Sequence, residues 1–404
     1  MMQSELKAKL NGLRVILGVT GSVAAYRAVD LARTLIRWGA QVRVVLTPTA
    51  AKLVSPTLFE WATGVKPLVE LTGRAEHVSW AKEADALVIA PATLNTIAKI
   101  SAGIADNALL ALAQSIIGMG KPLLVVPAMH LSLWRQAQKS IGELERLGVH
   151  VMHPYISSDA AKMPPVNAVA WWIESRVLRG ADMKGLNVLV TAGPTFEHID
   201  DVRVLTNPSS GLMGVSIAVE AYNRGARVYL VHGPLSIELE DYYTSVIETY
   251  SVVTTEDMAE QVKRVLASRK IDLAFYAAAP ADYKPTIRFK GKIRTAERPE
   301  LVITLKPTIK IAREAVRVSP ETKHVIFAAE ASTDECELIA YGLRKLYSTG
   351  ASFTVVNSVK RPGEGFRSAT NRVIVIRRDG RIWRIGRELK RIIARRIIDI
   401  VIGR

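Results

Sequence analysis

The sequence predicts an α/β protein with two doubly wound parallel sheets, and three observations carry this prediction. Short apolar runs alternate with amphipathic stretches of helical period, which is the pattern of βαβ units. The pattern also begins twice, because RWGAQVRVVL at 37–46 is echoed by NRGARVYLV at 223–231. Finally, a chain of 404 residues is too long for one ordinary core. Two separate sheets therefore fit better than one continuous domain.

In the first half, each predicted strand is followed by a polar turn. The predicted strands are Arg14–Val19, Gln41–Leu46, Asp85–Ala90 and Pro122–Val126, and one helix is predicted from Val23 to Trp38. The polar stretch Glu174–Lys184 precedes a fresh strand and is the best candidate for a linker. We therefore expect domains at 1–180 and 185–404.

The second half repeats this alternation and then changes at its end. Strands are predicted at Leu186–Val190, Arg227–Val231, Asp272–Ala277, His324–Ala328 and Ser352–Val356, with a helix at Gly211–Asn223. Asp379-Gly380 is a strong two-residue turn signal, so Arg372–Arg377 and Arg381–Ile385 are expected to form a terminal hairpin.

Composition and charge limit the class of protein. The single cysteine, Cys336, excludes an intramolecular disulfide and a thiolate zinc site. Residues 1–13 lack a signal-peptide core and no apolar run reaches membrane length, so a cytoplasmic protein is expected. The net charge of +16 permits nucleic-acid binding as a non-enzymatic alternative. However, the basic residues of the tail Arg361–Arg404 alternate with apolar ones, which favours the solvated face of a strand and a helix.

Polar clusters follow consecutive strands of the first half, where parallel sheets bind ligands. The candidate cofactor-binding residues are Gly21, Ser22, Thr47, Thr93, Asn95 and Thr96. Each hydroxyl could simply cap a helix, but together the clusters indicate a phosphate-bearing ligand. The absence of a G-x-G-x-x-G motif favours a mononucleotide over a dinucleotide.

Further candidates lie next to strands in both halves. His77 precedes one strand and His130 follows another, although a lone histidine is more often structural than catalytic. In the second half, the turns Thr191–Thr195 and Asn207–Gly211 both follow the opening strand, and the second one leads into a helix. Two such turns in one unit indicate a nucleotide phosphate.

Three segments of the first half, GVTGSVAAYRA, EHVSWAKEADALVIAPATLNTIAKI and VVPAMH, carry a family resemblance. They resemble the flavin-dependent cysteine decarboxylases, and most closely the N-terminal half of the bifunctional phosphopantothenoylcysteine decarboxylase/phosphopantothenate–cysteine ligases. The resemblance implies FMN as cofactor, His77 as the catalytic histidine and His130 in place of a substrate-binding asparagine. It also implies oxidation of the substrate thiol to a thioaldehyde before decarboxylation.

One segment departs from the family pattern. The family places a proton-donating cysteine in a glycine-rich flap, but the corresponding residues 155–167, YISSDAAKMPPVN, contain no cysteine. His153, Tyr155 and Lys162 are the alternatives for the proton donor.

The second half resembles the ligase half of the same family. LVTAGPTFEHIDDVRVLTNPSSG, AAAPADYKP, KGKIR, LKPTIKIA and VIFAAE carry this resemblance. It implies Asn207 as the residue at the acyl-cytidylate and Lys292 as the triphosphate lysine. The implied substrate-binding residues are Arg203, Ala278, Ala279, Pro280, Asp282, Lys292, Pro307, Thr308, Ile309, Lys310, Phe327 and Lys345. Leu212 and Thr349 stand where the family commonly has lysines.

The resemblance implies a bifunctional enzyme of coenzyme A synthesis. CTP-dependent ligation of 4′-phosphopantothenate with cysteine, assisted by Mg²⁺, would precede FMN-dependent decarboxylation to 4′-phosphopantetheine. The family implies a homo-oligomer with trimeric flavin domains and dimeric ligase domains, up to a dodecamer. The alternatives are a ligase whose flavin domain is a scaffold or acts on another substrate, and the basic nucleic-acid-binding protein.

Overall fold

The computed structural model describes residues 10–295 and 300–404, and the chain divides into two compact units between Gly180 and Ala181. Each unit contains its own parallel sheet flanked by helices, so the α/β fold with two sheets is confirmed. Residues 1–9, most of the stretch inspected for a signal peptide, lie outside the described residues. Among the helices that the structure describes, none has the length and apolar character needed to cross a bilayer.

The first unit has a parallel sheet in the order β2-β1-β3-β4-β6. Counted within the sheet, this is the 2-1-3-4-5 order of flavodoxin-like folds. Strands β5, β8 and β7 form a small antiparallel sheet beside it. The strands are β1 (Arg14–Val19), β2 (Gln41–Leu46), β3 (Ala86–Ala92), β4 (Leu123–Pro127), β5 (Met129–His130), β6 (His150–Val151), β7 (Tyr155–Ile156) and β8 (Ala160–Lys162).

The helices of the first unit pack against this sheet or against one another. They are α1 (Arg27–Arg37), α2 (Pro48–Leu53), α3 (Pro56–Thr63), α4 (Glu76–Glu83), α5 (Leu94–Ser101), α6 (Ala108–Gly118), α7 (Leu131–Arg146) and α8 (Val166–Arg179). The predicted first helix begins instead as a 3₁₀ turn at Val23–Tyr26. The cause is local, because the Ser22 hydroxyl accepts a hydrogen bond from the Ala24 amide and tightens the first turn.

The second unit has an eight-stranded sheet in the order β13-β12-β9-β14-β17-β18-β19-β20. The strands pair in parallel up to β18, whereas β19 and β20 are antiparallel and form the predicted terminal hairpin. The strands are β9 (Asn187–Ala192), β10 (Glu197–His198), β11 (Val204–Leu205), β12 (Arg227–His232), β13 (Glu248–Ser251), β14 (Leu273–Tyr276), β15 (Tyr283–Pro285), β16 (Leu305–Pro307), β17 (Lys323–Glu330), β18 (Phe353–Ser358), β19 (Thr370–Arg377) and β20 (Ile382–Leu389).

The helices of the second unit cover both faces of this sheet. They are α9 (Leu212–Asn223), α10 (Asp241–Val246), α11 (Thr255–Ser268), α12 (Ile311–Val318), α13 (Glu335–Thr349) and α14 (Lys390–Ile402). Helix α9 is buried nearly all round because it lies between β9 and α14.

The basic tail corrects one sequence prediction. Two of its cations are buried rather than solvated: Lys390 is 5% exposed and Arg395 is 2% exposed. Arg395 lies on α14 and its Nε donates to Glu220 Oε1 on α9 at 2.8 Å. The alternation of basic and apolar residues could not reveal this, because the partner carboxylate lies 175 residues away in the sequence.

Candidate active sites in the two units

Thr20 joins the carboxyl ends of β1 and β3 in the first unit. Its hydroxyl donates to the Pro91 carbonyl at 2.8 Å and accepts from the Thr93 amide at 3.1 Å. This fixes the loop after β1 against the loop after β3, where a parallel sheet binds its ligand.

Gly21 lies in a cradle that a side chain would fill. A Cβ built on Gly21 would lie only 2.5 Å from Thr49 Cγ2. The neighbouring Ser22 caps the 3₁₀ turn by accepting from the Ala24 amide at 3.3 Å, and its hydroxyl lies 3.5 Å from the Ala128 carbonyl. The loop after β1 therefore packs closely against Thr49, an approach that only glycine allows at position 21.

The other predicted cofactor-binding residues differ in whether their side chains cap a helix. Thr47 caps α2 by accepting from the Ala50 amide at 3.2 Å, as the structural alternative anticipated. Thr93 begins α5 without a capping bond from its side chain, and its hydroxyl lies 3.3 Å from that of Thr96. Asn95 is exposed in the first turn of α5. The start of α5 therefore presents the exposed side chain of Asn95 and the amino end of a helix to an anion.

His77 lies in the first turn of α4, and its Nδ1 is buried without a hydrogen-bond partner among the described residues. The other end of α4 is held by Lys121, whose ammonium donates to the carbonyls of Ala81 and Ala84 at 2.8 and 2.7 Å. Lys121 precedes β4, so the last turn of α4 lies at the amino edge of the sheet and its first turn points towards the carboxyl edge. A buried imidazole nitrogen without a partner requires an explanation, and a bound ligand would supply one.

His130 caps helix α7. Its Nδ1 accepts from the Ser132 amide at 3.3 Å and lies 2.9 Å from the Ser132 hydroxyl, while the residue as a whole is exposed. Nδ1 is thus committed to the cap, which leaves Nε2 for any substrate.

The three alternatives for a proton donor lie on or before the small sheet of β5, β8 and β7. Tyr155 is half-buried and is paired in register with the exposed Lys162. His153 Nδ1 lies 2.8 Å from the Pro154 carbonyl, and its ring packs edge-on against Trp134.

The second unit contains a cavity of about 460 Å³ at the carboxyl ends of β9, β14, β17 and β18. Most of the predicted ligase residues line it: Asn207, Ala278, Ala279, Pro280, Asp282, Thr308, Ile309, Lys310, Phe327 and Lys345. Arg203, Lys292 and Pro307 do not belong to its wall. The cavity thus unites segments that lie up to 199 residues apart in the sequence, from Thr191 to Lys390.

Asn207 connects the two loops that face each other across the cavity. Its Nδ2 donates to the carbonyls of Ala279 and Pro280 at 3.2 and 2.9 Å. The loop after β14 is in turn attached to the loop after β9, because the Ala279 amide donates to the Gly193 carbonyl at 2.9 Å. The side-chain amide of Asn207 is therefore fixed in orientation, with its Oδ1 left to accept.

A buried network beneath the cavity was missed by the sequence analysis. Glu197 is 3% exposed and accepts from the Thr255 amide and hydroxyl at 2.8 and 2.7 Å. The Thr255 hydroxyl lies 2.8 Å from that of Thr195, which accepts from the Ala281 amide at 3.0 Å. This chain supports the loop that carries Asp282. The TFEHID motif contains the glutamate, but nothing in the local pattern shows that it is buried.

Arg203 and Lys292 lie in a separate arrangement around Asp200. Burial alone would raise the pKa of Asp200, but the backbone amides of Arg203, Val202 and Ile293 and the Arg203 guanidinium hold this pKa well below its usual value. The same bonds attach the segment of Lys292 to the loop after β10. Lys292 itself is exposed.

The open side of the cavity is lined by charged groups near solvent. Lys310 pairs with Asp282, and both side chains are more than half exposed, so the pair contributes little to stability. The ammonium of Lys345 lies 5.4 Å from the centre of the Tyr341 ring. These two lysines can therefore approach an anionic ligand at small cost.

A second wall of the cavity was not predicted by the sequence analysis. This wall contains residues from the end of β18, the start of β19, the loop between them and the start of α14: Asn357, Gly365, Phe366, Asn371 and Lys390. Ser209, Ser210 and Gly211 of the predicted anion-binding turn also line the cavity. Gly211 has φ +83°, a conformation that favours glycine, and a Cβ at this position would lie 2.3 Å from the Leu235 side chain.

Comparison with known proteins matches both units to family models. Residues 3–178 match the family described as Flavoprotein, and residues 183–403 match the DNA/pantothenate metabolism flavoprotein C-terminal domain. Among solved structures, the C-terminal domain of the coenzyme A biosynthesis bifunctional protein CoaBC is 31% identical, with a TM-score of 0.44, and the match covers 54% of this chain and 94% of that chain.

Full-length relatives extend the similarity over both units. The coenzyme A biosynthesis bifunctional protein CoaBC of Thermococcus kodakarensis is 35% identical over 397 residues, which cover 97% of this chain and 95% of that protein. The protein of the same name from Bacillus subtilis is 31% identical over 388 residues, with 92% of each chain covered. Similarity that spans both units in one order confirms the resemblance seen in the motifs, and the chain belongs to the family of bifunctional coenzyme A biosynthesis proteins.

Proposed function

We propose that the second unit joins 4′-phosphopantothenate to cysteine at the expense of CTP, and that the first unit decarboxylates the product to 4′-phosphopantetheine. The observation that carries the proposal is the cavity in which Asn207 meets the loop of Ala278, Ala279 and Pro280. Family membership supports both reactions in one chain.

The ligase reaction consists of two successive nucleophilic substitutions. A carboxylate oxygen of the acid attacks the α-phosphorus of CTP, and pyrophosphate leaves. The amine of cysteine then attacks the acyl carbon, the carbon–oxygen bond breaks, and CMP leaves with that oxygen. Both steps build negative charge on phosphate oxygens, which nearby cations stabilise.

The residues of the cavity suit these steps. Lys310 and Lys345 can approach the phosphates, and the turn of Ser209, Ser210 and Gly211 presents the amino end of α9 to an anion. Asn207, whose side-chain amide donates to two carbonyls, would offer its Oδ1 to the incoming cysteine amine next to the acyl phosphate. Lys292 would reach the triphosphate from the segment that Asp200 holds in place.

Mg²⁺ would enter this site with the triphosphate. Within residues 10–295 and 300–404, no group of three histidine, cysteine, aspartate or glutamate side chains could hold a metal ion. Magnesium commonly keeps several waters and is held through substrate phosphates, so the absence of a protein cage fits this role.

The residues of the first unit fit FMN. The tight turn at Gly21 and the polar side chains of Thr93 and Asn95 would hold its phosphate, next to the carboxyl edge of the sheet. When bound, FMN supplies the reversible oxidation that activates the substrate carboxylate for loss. His77, whose buried Nδ1 has no partner among the described residues, would hold or move a proton of the substrate. His130 would donate from Nε2 to the substrate carboxylate.

A homo-oligomer is the expected assembly. Large apolar side chains are exposed on β15, β16 and the segments beside them, with Ile287 at 68% and Val302 at 77%. Light scattering on the purified protein would test this, and a monomer at working concentration would contradict it.

Two measurements test the proposed reactions. Phosphopantothenate labelled with ¹⁸O in its carboxylate should transfer one labelled oxygen to CMP, and pyrophosphate release should require the acid. The purified protein should bind FMN and show its visible absorbance. Pyrophosphate release without the acid would contradict the ligase, and failure to bind FMN would contradict the decarboxylase.

A further inference from the structure

Lys162 and His130 lie on the same face of the small sheet of β5, β8 and β7. His130 pairs with Ala160, and Lys162 lies two residues further along β8. Because alternate residues of a strand share a face, Lys162 is a diagonal neighbour of His130, with the two Cα atoms about 7–8 Å apart. A long side chain spans this distance, so the ammonium of Lys162 can approach the group that His130 binds.

The other face of the small sheet packs against the core of the first unit. Ala161, the neighbour of Lys162, is fully buried, and Met129, which pairs with Ala161, packs against that core. The face of His130 and Lys162 is therefore turned away from the core, and both residues are exposed. An ammonium on this face can meet a substrate and can exchange its protons with solvent.

Two contacts attach the strands around Lys162 to the loop after β1, where FMN is proposed to bind. The carbonyl of the next residue, Met163, accepts from the Arg27 guanidinium at 2.6 Å, and Arg27 begins α1 shortly after that loop. On the neighbouring strand, continuing the register places Ala128 opposite Lys162, and the Ala128 carbonyl lies 3.5 Å from the Ser22 hydroxyl. Lys162 therefore lies between two attachments to the segment that carries the proposed cofactor site.

The proposed decarboxylation requires a proton donor at one defined carbon of the substrate. Loss of CO₂ from the oxidised substrate leaves an enethiolate. To become the product, the carbon that held the carboxylate must take a proton, and the sulfur-bearing carbon must take a hydride, which reduced FMN supplies. The donor must therefore lie beside the residue that binds the carboxylate, which is the proposed role of His130.

We propose that Lys162 is this proton donor, an inference that rests on the proposed decarboxylase function. Its ammonium transfers one proton to the carbon that held the carboxylate, which converts the enethiolate into a thioaldehyde. Hydride addition then gives the thiolate of the product, and the neutral amine of Lys162 takes a proton from solvent. Over the whole cycle, the substrate and one proton give the product and CO₂, so charge and electrons balance.

The two other candidate donors of this segment are less well placed. His153 precedes β7, and its ring packs edge-on against Trp134 of α7 rather than lying on the face of the small sheet. Tyr155 shares the face of Lys162, but β8 separates its strand from that of His130. At about 4.8 Å per strand, the backbone of Tyr155 is about 10 Å from β5, twice as far as that of β8.

The test supplies phosphopantothenoylcysteine, without oxygen, to the full-length wild type and to Lys162→Met. The variant should release CO₂ in the first turnover, but mass spectrometry should find the unreduced enethiol, which is lighter than 4′-phosphopantetheine by two hydrogen atoms. A general acid contributes about 10²- to 10⁴-fold, so formation of 4′-phosphopantetheine should fall by this factor. The flavin absorbance should stay bleached, and calorimetric affinity for 4′-phosphopantetheine should be unchanged.

Lys162→Arg separates the proton from the charge. A guanidinium keeps the positive charge but does not give up its proton, so this variant should also accumulate the enethiol. Lys139→Met is the matched control, because it removes an exposed lysine from α7 of the same unit and should form 4′-phosphopantetheine at the wild-type rate. Tyr155→Phe removes the competing donor and should also form the reduced product.

Three results would overturn the assignment of Lys162: normal formation of 4′-phosphopantetheine by Lys162→Met, its restoration by Lys162→Arg, or a loss of CO₂ release as large as the loss of reduction in both variants. Accumulation of the enethiol by Tyr155→Phe alone would make Tyr155 the donor. The proposed function fails in a different way, because the wild type would then release no CO₂ from phosphopantothenoylcysteine.

Discussion

Replacing Gly214 with alanine probes how closely α9 must lie on β9. Gly214 is in the first turn of α9. A Cβ at this position would lie 2.6 Å from the Thr191 carbonyl oxygen, 2.6 Å from Ala192 Cβ and 2.9 Å from Ala192 Cα. Because carbon atoms in contact lie at about 3.5–4.0 Å, the helix would have to move by about 1 Å. Backbone atoms of β9 cannot rotate aside to avoid this.

The consequences differ for stability and for activity. Overpacking costs about 1–3 kcal/mol, and the better helix propensity of alanine offsets about 0.5–1 kcal/mol of it. Ser210, Gly211 and Leu212 line the cavity, so a displacement of this turn also displaces the cavity wall. A misplacement of about 1 Å in an active site can reduce the rate about 100-fold. We therefore expect a modest loss of stability and a large loss of ligation by Gly214→Ala.

Thermal unfolding and the rate of CMP release measure these two effects. Decarboxylation of phosphopantothenoylcysteine, supplied directly, should remain normal because its residues lie in the first unit. Gly142→Ala is the control, since nothing lies within 4 Å of the new Cβ in α7. Gly342→Ala in α13 is intermediate, because the new Cβ meets only side chains, those of Val356, Ile376 and Thr354. Ligation by Gly214→Ala at the wild-type rate would refute the argument.

Three further substitutions have defined expectations. His77→Asn should reduce decarboxylation about 10²- to 10⁴-fold while CMP release is retained, and equal loss of both activities would point to misfolding. Arg395→Met should lower the free energy of unfolding by about 3–5 kcal/mol, because it removes a cation that pairs with the buried Glu220; a denaturant titration that shows no change would contradict this. Burial lowers the pKa of His324 in the folded state. The stability that the neutral imidazole contributes is therefore fully present above the usual histidine pKa of about 6.5, and it falls as the pH drops below that value. His324→Asn should show a flatter acid limb in thermal unfolding, and parallel curves would contradict the assignment.

The strands were predictable because apolar runs in a two-sided parallel sheet are continuous. Gln41–Leu46 was predicted with its observed bounds. Asp85 was placed in a strand, but its carboxylate accepts from the Arg14 amide at 2.7 Å and the strand begins one residue later, at Ala86. A side-chain bond of this kind depends on a neighbouring strand that is distant in the sequence. The pattern of apolar residues around Asp85 therefore cannot predict it.

The candidate ligase site was predictable on one wall only. The turn at Asn207 and the loop at Ala278 follow central strands, where parallel sheets bind ligands, and family motifs mark them. Lys390 and Asn371 lie in a basic segment whose period favours a solvated face. Their burial results from the packing of β18, β19 and α14, which only the tertiary structure reveals.

The most direct test of the central claim is a single incubation followed by mass spectrometry. The full-length protein receives 4′-phosphopantothenate, cysteine, CTP and Mg²⁺, and the acid-derived products are identified over time. If both units act in sequence, phosphopantothenoylcysteine forms first and is converted into 4′-phosphopantetheine, with one CMP released for each product molecule. Accumulation of phosphopantothenoylcysteine alone would contradict a working decarboxylase, and the absence of both products would contradict the account as a whole.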